Sequence, residues 1–207
     1  MTSPQHPTAS DQQYADRGYR SPAGIAGGVL LLALAAWLGG DALVRGSGHT
    51  RLLAVAGLLF AVPLVVAFTL RPVVRAGADK MIVRNPFRTI TLPWNSVEDL
   101  RASFSSEVFA GGTKYQLWSI PVSLRQRKKA NRQASRIANR AAGGHPEATT
   151  DTVRRATADR ALDELRALKE NAAGRDGAEG TPVVRWAYEI IAPCVVGAVG
   201  LVVLIAL

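Results

Sequence analysis

The chain has 207 residues, 48% of them hydrophobic and 20% charged, with a formal net charge of +9 and a single cysteine, Cys194. One cysteine excludes an intramolecular disulfide, and His6, His49 and His145 stand far apart with no Cys, His or carboxylate at ligand spacing, which argues against a zinc centre or a catalytic histidine. The averages also conceal segregation: residues 71–185 hold 21 of the 25 Lys and Arg against 12 of the 16 Asp and Glu, so this segment carries the whole charge excess and its natural partners are anionic.

Residues 1–22 are rich in Ser, Pro, Gln, Asp and Tyr and nearly free of aliphatic side chains. Such a stretch cannot bury enough surface to offset the entropy of ordering, and a disordered tail is expected. Two apolar runs follow within residues 23–70, Ile25–Val44 and Leu52–Leu70, and a third runs from Ile190 to Leu207 within 186–207. Helices of 18 to 20 residues cover roughly 27 to 30 Å, the thickness of the hydrocarbon layer, so three transmembrane helices are predicted. Gly27-Gly28 and Gly39-Gly40 offer small faces for a neighbouring helix. Ala33-Leu34-Ala35 resembles a signal-peptidase site, but the polar tail before it is long and the apolar run continues through Trp37 and Leu38, so the segment is read as a retained span. Asp41 lies four residues before Arg45 and is assigned to interfacial water. Pro63 and Pro193 are expected to kink their helices without implying transport.

Lys and Arg near the span ends set the orientation. Arg17 and Arg20 precede the first span, Arg71, Arg75, Lys80, Arg84 and Arg88 follow the second, and the intervening loop has Arg45 and Arg51. The balance predicts a multi-pass protein of the plasma membrane with the tail and residues 71–185 in the cytoplasm.

Within 71–123 the pattern is of short β segments separated by turn residues. Val73-Val74-Arg75 leads through Ala76-Gly77-Ala78-Asp79 to Met81-Ile82-Val83 and the punctuating Asn85-Pro86, which reads as a hairpin. In Arg88–Trp94, Ile90, Leu92 and Trp94 alternate onto one face. Asn95 or Ser96 is expected to cap a single helical turn, with Glu98 as the capping-box acid and Val97 and Leu100 facing the core. A strand is expected from Ala102 to Phe109, then a turn at Ala110-Gly111-Gly112-Thr113, then a strand from Lys114 to Pro121. Trp94 and Trp118 are both read as core residues rather than ligand-stacking surfaces.

These segments, in this order, resemble the small bacterial pleckstrin-homology-like (PH-like) domains of actinobacterial membrane proteins. The carrying residues are Met81 to Pro86, Phe87 to Trp94, Val97, and Trp118-Ser119-Ile120-Pro121. The resemblance implies an antiparallel β sheet or partial barrel followed by helices, hence a small α+β domain beside the membrane α-helices. It also implies a binding or scaffolding module without a catalytic site of its own.

Residues 124–142 are predicted to form a basic helix, since no acidic residue occurs between Glu107 and Glu147. At 100° per residue Arg125, Lys129, Arg132, Arg136 and Arg140 share a stripe, and with Lys128 they are the candidate residues for binding an anionic surface. The opposite face is Ala-rich and lacks the Trp, Phe or Leu of an inserting helix, so contact with lipid headgroups is the expectation. Nucleic acid is a rival partner, but no aromatic side chain supplies a stacking platform. After a linker at 143–150, residues 151–173 read as an amphipathic helix with Ala158, Ala161, Leu162, Leu165 and Leu168 on one stripe, suited to packing on the β region or on another copy. A second linker, 174–185, leads to Trp186 and Tyr188, which suit the interfacial aromatic belt.

No Gly-rich loop precedes Lys-Ser or Lys-Thr after a strand, so no phosphate-cradling motif is present and no cofactor is expected. The sequence therefore favours a non-enzymatic membrane protein whose PH-like domain meets anionic lipid, a membrane protein partner or a second copy of itself. A membrane enzyme or transporter subunit, and nucleic-acid tethering through the basic helix, are the alternatives.

Overall fold

The computed structural model describes residues 17–102, 105–120 and 150–207. The chain folds as two compact units: one comprises residues 20–74, 82–91 and 183–207, the other residues 75–81, 92–182 and the stretch ending at Tyr19.

Three long helices dominate the first unit. Helix α1, Pro22–Arg45, starts where the Ser21 hydroxyl accepts from the Gly24 N–H at 3.2 Å and Pro22 takes the first turn, both favourable for a helix N-terminus. Near its end Arg45 pairs with Asp41 at 3.1 Å. Helix α2, Gly48–Val65, is capped by Ser47, whose hydroxyl accepts from the Thr50 N–H at 3.3 Å. Pro63 lacks the N–H that would continue the ladder. Beyond it the helix widens into a π turn, Val66–Leu70, in which the Arg71 N–H reaches the Val66 carbonyl at 2.9 Å and the Thr69 hydroxyl donates to the Val65 carbonyl at 2.6 Å. A further long helix is Tyr188–Ala206.

These helices run antiparallel and meet through small residues. Gly28 lies against Thr69 and Leu70, Gly39 against Leu58, and Gly197 against the backbone of Ala56, Leu59 and Phe60. Their outward faces are apolar: Leu30, Trp37, Val44, Val202 and Ile205 are each at least 70% exposed, far more apolar surface than water tolerates in one place. Lengths of 24, 23 and 19 residues correspond to about 28 to 36 Å, so all three are long and apolar enough to cross a membrane.

Eight strands make two sheets. Strands β1 (Arg17–Tyr19), β2 (Val73–Ala76), β3 (Lys80–Arg84), β4 (Arg88–Pro93) and β8 (Val183–Trp186) are ordered β1-β2-β3-β4-β8; β5 (Val97–Ala102), β6 (Ser106–Ala110) and β7 (Thr113–Gln116) form the other sheet in that order. Helix α3, Thr150–Ala172, lies between β7 and β8 in sequence, and the Tyr188–Ala206 helix is α4. The two-residue turn between β6 and β7 is Gly111-Gly112 with φ of +55° and +67°. Positive φ at both positions matches the twist of a tight hairpin and costs glycine no Cβ clash. Between β3 and β4, Pro86 supplies its fixed φ to the turn that the Asn85 N–H closes on the Arg88 carbonyl at 2.9 Å.

In the second unit α3 packs on β5 and on the short turn Trp94–Ser96. Ala161, Leu162, Leu165 and Leu168 are buried as their spacing predicts, joined by Ala172; the side chain of Ala158 lies outside the described residues. Strand β5 is a sheet edge, and its open carbonyls are capped from the helix: Arg166 donates to Leu100 at 2.7 Å and Lys169 to Glu98 at 2.7 Å. An edge covered in this way is closed to pairing with another chain.

Several expectations need correction. Arg17–Tyr19, placed in the tail, form a strand, because the Tyr19 hydroxyl donates to Glu164 at 2.6 Å and Arg17 pairs with the same carboxylate at 3.4 Å. Val97–Ala102 is a strand, and no helical turn starts there. A bulge between Val97 and Asp99 turns both Val97 and Leu100 inward, a spacing of three that imitates a helix. Glu98 caps no helix N-terminus; its carboxylate accepts from the Gly112 N–H at 2.7 Å. The strand expected over Ala102–Phe109 is divided between β5 and β6, with Ala102 paired to Ser106. Val183–Trp186, at the junction of the expected 174–185 linker and the 186–207 helix, is strand β8. Trp94 is fully buried, but Trp118 is 43% exposed and is not a core residue.

Candidate functional site at the span ends

The strongest concentration of organised chemistry in the first unit is the β3–β4 hairpin and the helix ends around it. At the hairpin tip Phe87 packs beside Ala67, Ile190 and Cys194, with Phe60 and Leu64 in the same cluster. Its ring meets Phe68 edge-on with centroids 5.4 Å apart, and its carbonyl accepts from the Ala187 N–H at 2.9 Å. The tip is thus inserted between the end of α2 and the start of α4, held by apolar contact and one backbone hydrogen bond.

Arg71, the first residue after the π turn, fixes the same junction by polar contacts. Its Nε donates to the Asn85 carbonyl at 3.3 Å, its Nη1 to Glu189 at 2.9 Å, and its Nη2 to the Thr89 hydroxyl at 3.4 Å. With only 17% of the Arg71 side chain exposed against 65% for Glu189, the arginine is the enclosed partner. The planar guanidinium suits this task because it offers donors in several fixed directions at once.

Strand β8 completes the arrangement. It pairs antiparallel with β4, setting Arg88 opposite Trp186, Thr89 opposite Arg185, Ile90 opposite Val184 and Thr91 opposite Val183. All four β8 residues are exposed. A further sign of this strand lies in the sequence: Pro182-Val183-Val184-Arg185 repeats Pro72-Val73-Val74-Arg75, the start of β2.

In the second unit the indole N–H of Trp94 donates to the Gly77 carbonyl at 3.0 Å, and the Trp94 backbone N–H donates to Asp79 at 3.1 Å. The indole therefore locks the β2–β3 turn and is enclosed within the protein. Burial, followed by donation to the Glu164 carboxylate, pushes the Tyr19 phenol up to about 12. Asp99 is held below the usual carboxylate range, chiefly by its hydrogen bond from Arg101, whose guanidinium also lies 5.1 Å from the centre of the Phe109 ring. These are structural pairings with no reacting geometry. Among the described residues no group of three His, Cys, Asp or Glu side chains stands together to hold a metal ion.

The basic stripe expected from the sequence, Arg125, Lys128, Lys129, Arg132, Arg136 and Arg140, lies outside the described residues. Arg84 and Arg185 are about a hundred positions apart in the sequence, and strand pairing sets both beside Thr89, whose hydroxyl Arg71 reaches from the end of α2.

A model described as a bacterial PH domain matches residues 71–190. No curated protein and no solved structure matches the chain. The matched stretch opens at Arg71 and closes one residue after Glu189, so the ion pair between these two ties its ends together. It includes seven of the eight strands and helix α3, and it covers more than half of the 207 residues. The chain belongs to the bacterial PH domain family.

Proposed function

We propose that this is a non-enzymatic, multi-pass protein of the plasma membrane that presents its PH domain at the cytoplasmic face, as a module for binding a membrane protein partner or the anionic inner leaflet. The observation that carries the reading is the asymmetry of arginine about the three helices. Arg20, Arg71, Arg84, Arg88 and Arg185 belong to the end where α1 starts, α2 stops and α4 starts, and only Glu189 opposes them there within that unit. The opposite loop has Arg45, already paired with Asp41, and Arg51. Basic residues flanking spans are retained on the cytoplasmic side. The family's general lack of catalytic chemistry supports a binding role.

A fluorescent reporter that matures only in the cytoplasm tests the orientation in the full-length chain. It is expected to be bright at the N-terminus and dark after Leu207, because three spans place the two termini on opposite sides. A reporter active only outside the cytoplasm that works at the N-terminus would reverse the orientation. Capture of binding partners from gently solubilised membranes, with the intact protein as bait, tests the module reading.

A further inference from the structure

The register of β3, β4 and β8 builds a row that the linear sequence does not display. The Asn85–Arg88 hydrogen bond that closes the β3–β4 turn places Arg84 opposite Thr89, and Thr89 is in turn opposite Arg185. Residues directly opposite in an antiparallel pair project to the same face. The neighbouring row, Val83 and Ile90, is fully buried, so Arg84, Thr89 and Arg185 share the other face. Arg84 and Arg185 are both exposed. Arg71 comes to the same place from the end of α2, with its Nη2 on the Thr89 hydroxyl.

Arg71 thus reaches the Thr89 hydroxyl, and Arg84 and Arg185 flank Thr89 on the same face of the sheet. The single carboxylate nearby, Glu189, is held by Arg71 at 2.9 Å. Among the described residues no ion pair occupies Arg84 or Arg185. The row also lies a set distance from the apolar cluster at the hairpin tip. Phe87, two residues before Thr89, is packed among the apolar side chains of α2 and α4, and two strand residues advance about 7 Å. The headgroup layer on each side of the hydrocarbon is about 5 to 7 Å thick. Exposed Trp186 and Tyr188 flank the same start of α4, as aromatic side chains do at the level of headgroups.

We infer that Arg84 and Arg185, on either side of Thr89, form a binding site for the phosphate of an anionic phospholipid in the bilayer that the chain spans. Guanidinium groups bind phosphate oxygens through paired N–H donors, and a site at headgroup depth receives lipid phosphate without extracting it from the membrane. Arg71 acts as a positioning residue, fixing Thr89 and the start of α4. The inference rests on the membrane reading proposed above and adds the residues and the ligand class.

The test uses the intact protein in nanodiscs containing equal phosphatidylglycerol and phosphatidylcholine with identical acyl chains, and native mass spectrometry to count the lipids retained on release. Wild type is expected to retain phosphatidylglycerol preferentially. At the usual effect of a surface cation near an anionic leaflet, R84Q/R185Q loses about 10- to 30-fold of that preference, and R84K/R185K recovers part of it. R160Q, an exposed change on α3, leaves it intact. If the double variant fails to accumulate, the single variants R84Q and R185Q carry the test, each with about a 3- to 5-fold loss.

Unchanged preference in R84Q/R185Q rejects the site. Loss only on replacing Arg125, Lys129, Arg132, Arg136 and Arg140 by Gln rejects the row and moves lipid binding to that segment. A wild type without preference rejects the row, while partner capture still decides the module reading. The orientation stands or falls on the reporter fusions alone.

Discussion

Gly197 of α4 lies directly against the backbone nitrogen of Phe60 in α2, so closely that a Cβ at this position would overlap the neighbouring helix. The Cys194 thiol, one turn earlier, donates toward the Phe60 carbonyl at 3.7 Å. Close approach of two helix backbones through glycine gives dispersion contact along the crossing, which matters where lipid removes any hydrophobic drive for association. A Cβ added at Gly200, one turn further, would meet the Ala56 Cβ at 3.4 Å, an ordinary contact distance. Gly197→Ala is therefore expected to destabilise the helix pair by about 1 to 3 kcal/mol, as overpacking does, while Gly200→Ala stays within about 0.5 kcal/mol. Unfolding midpoints of the intact protein in mild detergent with graded SDS measure both. Equal midpoints for the two variants would show that this crossing is not tightly packed.

Trp94 gives the corresponding test in the second unit. Removal of a fully buried indole in Trp94→Ala is expected to cost about 3 to 5 kcal/mol. Trp94→Phe keeps most of the apolar volume but abandons the Gly77 carbonyl, which Nε1 holds at 3.0 Å, and should cost about 1 to 3 kcal/mol through the unsatisfied acceptor and the lost contacts. Thermal melting followed by near-ultraviolet circular dichroism ranks the two. A Trp94→Ala variant that melts like wild type would place the indole at the surface.

How much was legible in the sequence depended on how local the cause was. The three long helices follow from unbroken apolar runs, the β2–β3 hairpin from the turn residues between Ala76 and Asp79, and β4 from its alternation, signals confined to a few neighbours. The bulge at Glu98 broke that locality: with one residue extra in the strand, Val97 and Leu100 both face inward and give a helical spacing to a β segment. Strand β8 was hidden because it pairs with β4 almost a hundred residues earlier, and four exposed residues carry no alternation. Its Pro-Val-Val-Arg repeat of β2 was the available sign. Arg84 and Arg185 read only as positive charge until the pairing of three strands placed them beside Thr89.

Attachment of β1 to α3 is expected to depend on alkaline pH through Tyr19. Its phenol is pushed up to about 12 by burial and by donation to Glu164. A group that binds its proton more tightly when folded adds stability that is complete below its unfolded value, about 10, and is lost as pH rises through about 12. Absorbance titration of the phenolates should therefore show a late component that Tyr19→Phe removes. If the component that Tyr19→Phe removes instead titrates near the ordinary phenol value of about 10, Tyr19 is exposed to solvent.

The Arg71 junction separates an ion pair from the hydrogen bonds that surround it. Glu189 is 65% exposed, and pairs with so wet a partner contribute between nothing and about 1 kcal/mol. The donations from Arg71 to the Asn85 carbonyl and the Thr89 hydroxyl are part-buried, where loss of a charged donor costs about 1 to 3 kcal/mol. Arg71→Met, which keeps an unbranched stem but has no N–H, is thus expected to destabilise the protein about twice as much as Glu189→Gln or more. The double variant should fall close to Arg71→Met alone, with a coupling energy below about 1 kcal/mol. Detergent-phase unfolding of all four proteins closes the cycle. If Glu189→Gln costs as much as Arg71→Met, the carboxylate is the main partner of the guanidinium, and the hairpin depends on the start of α4 for its position.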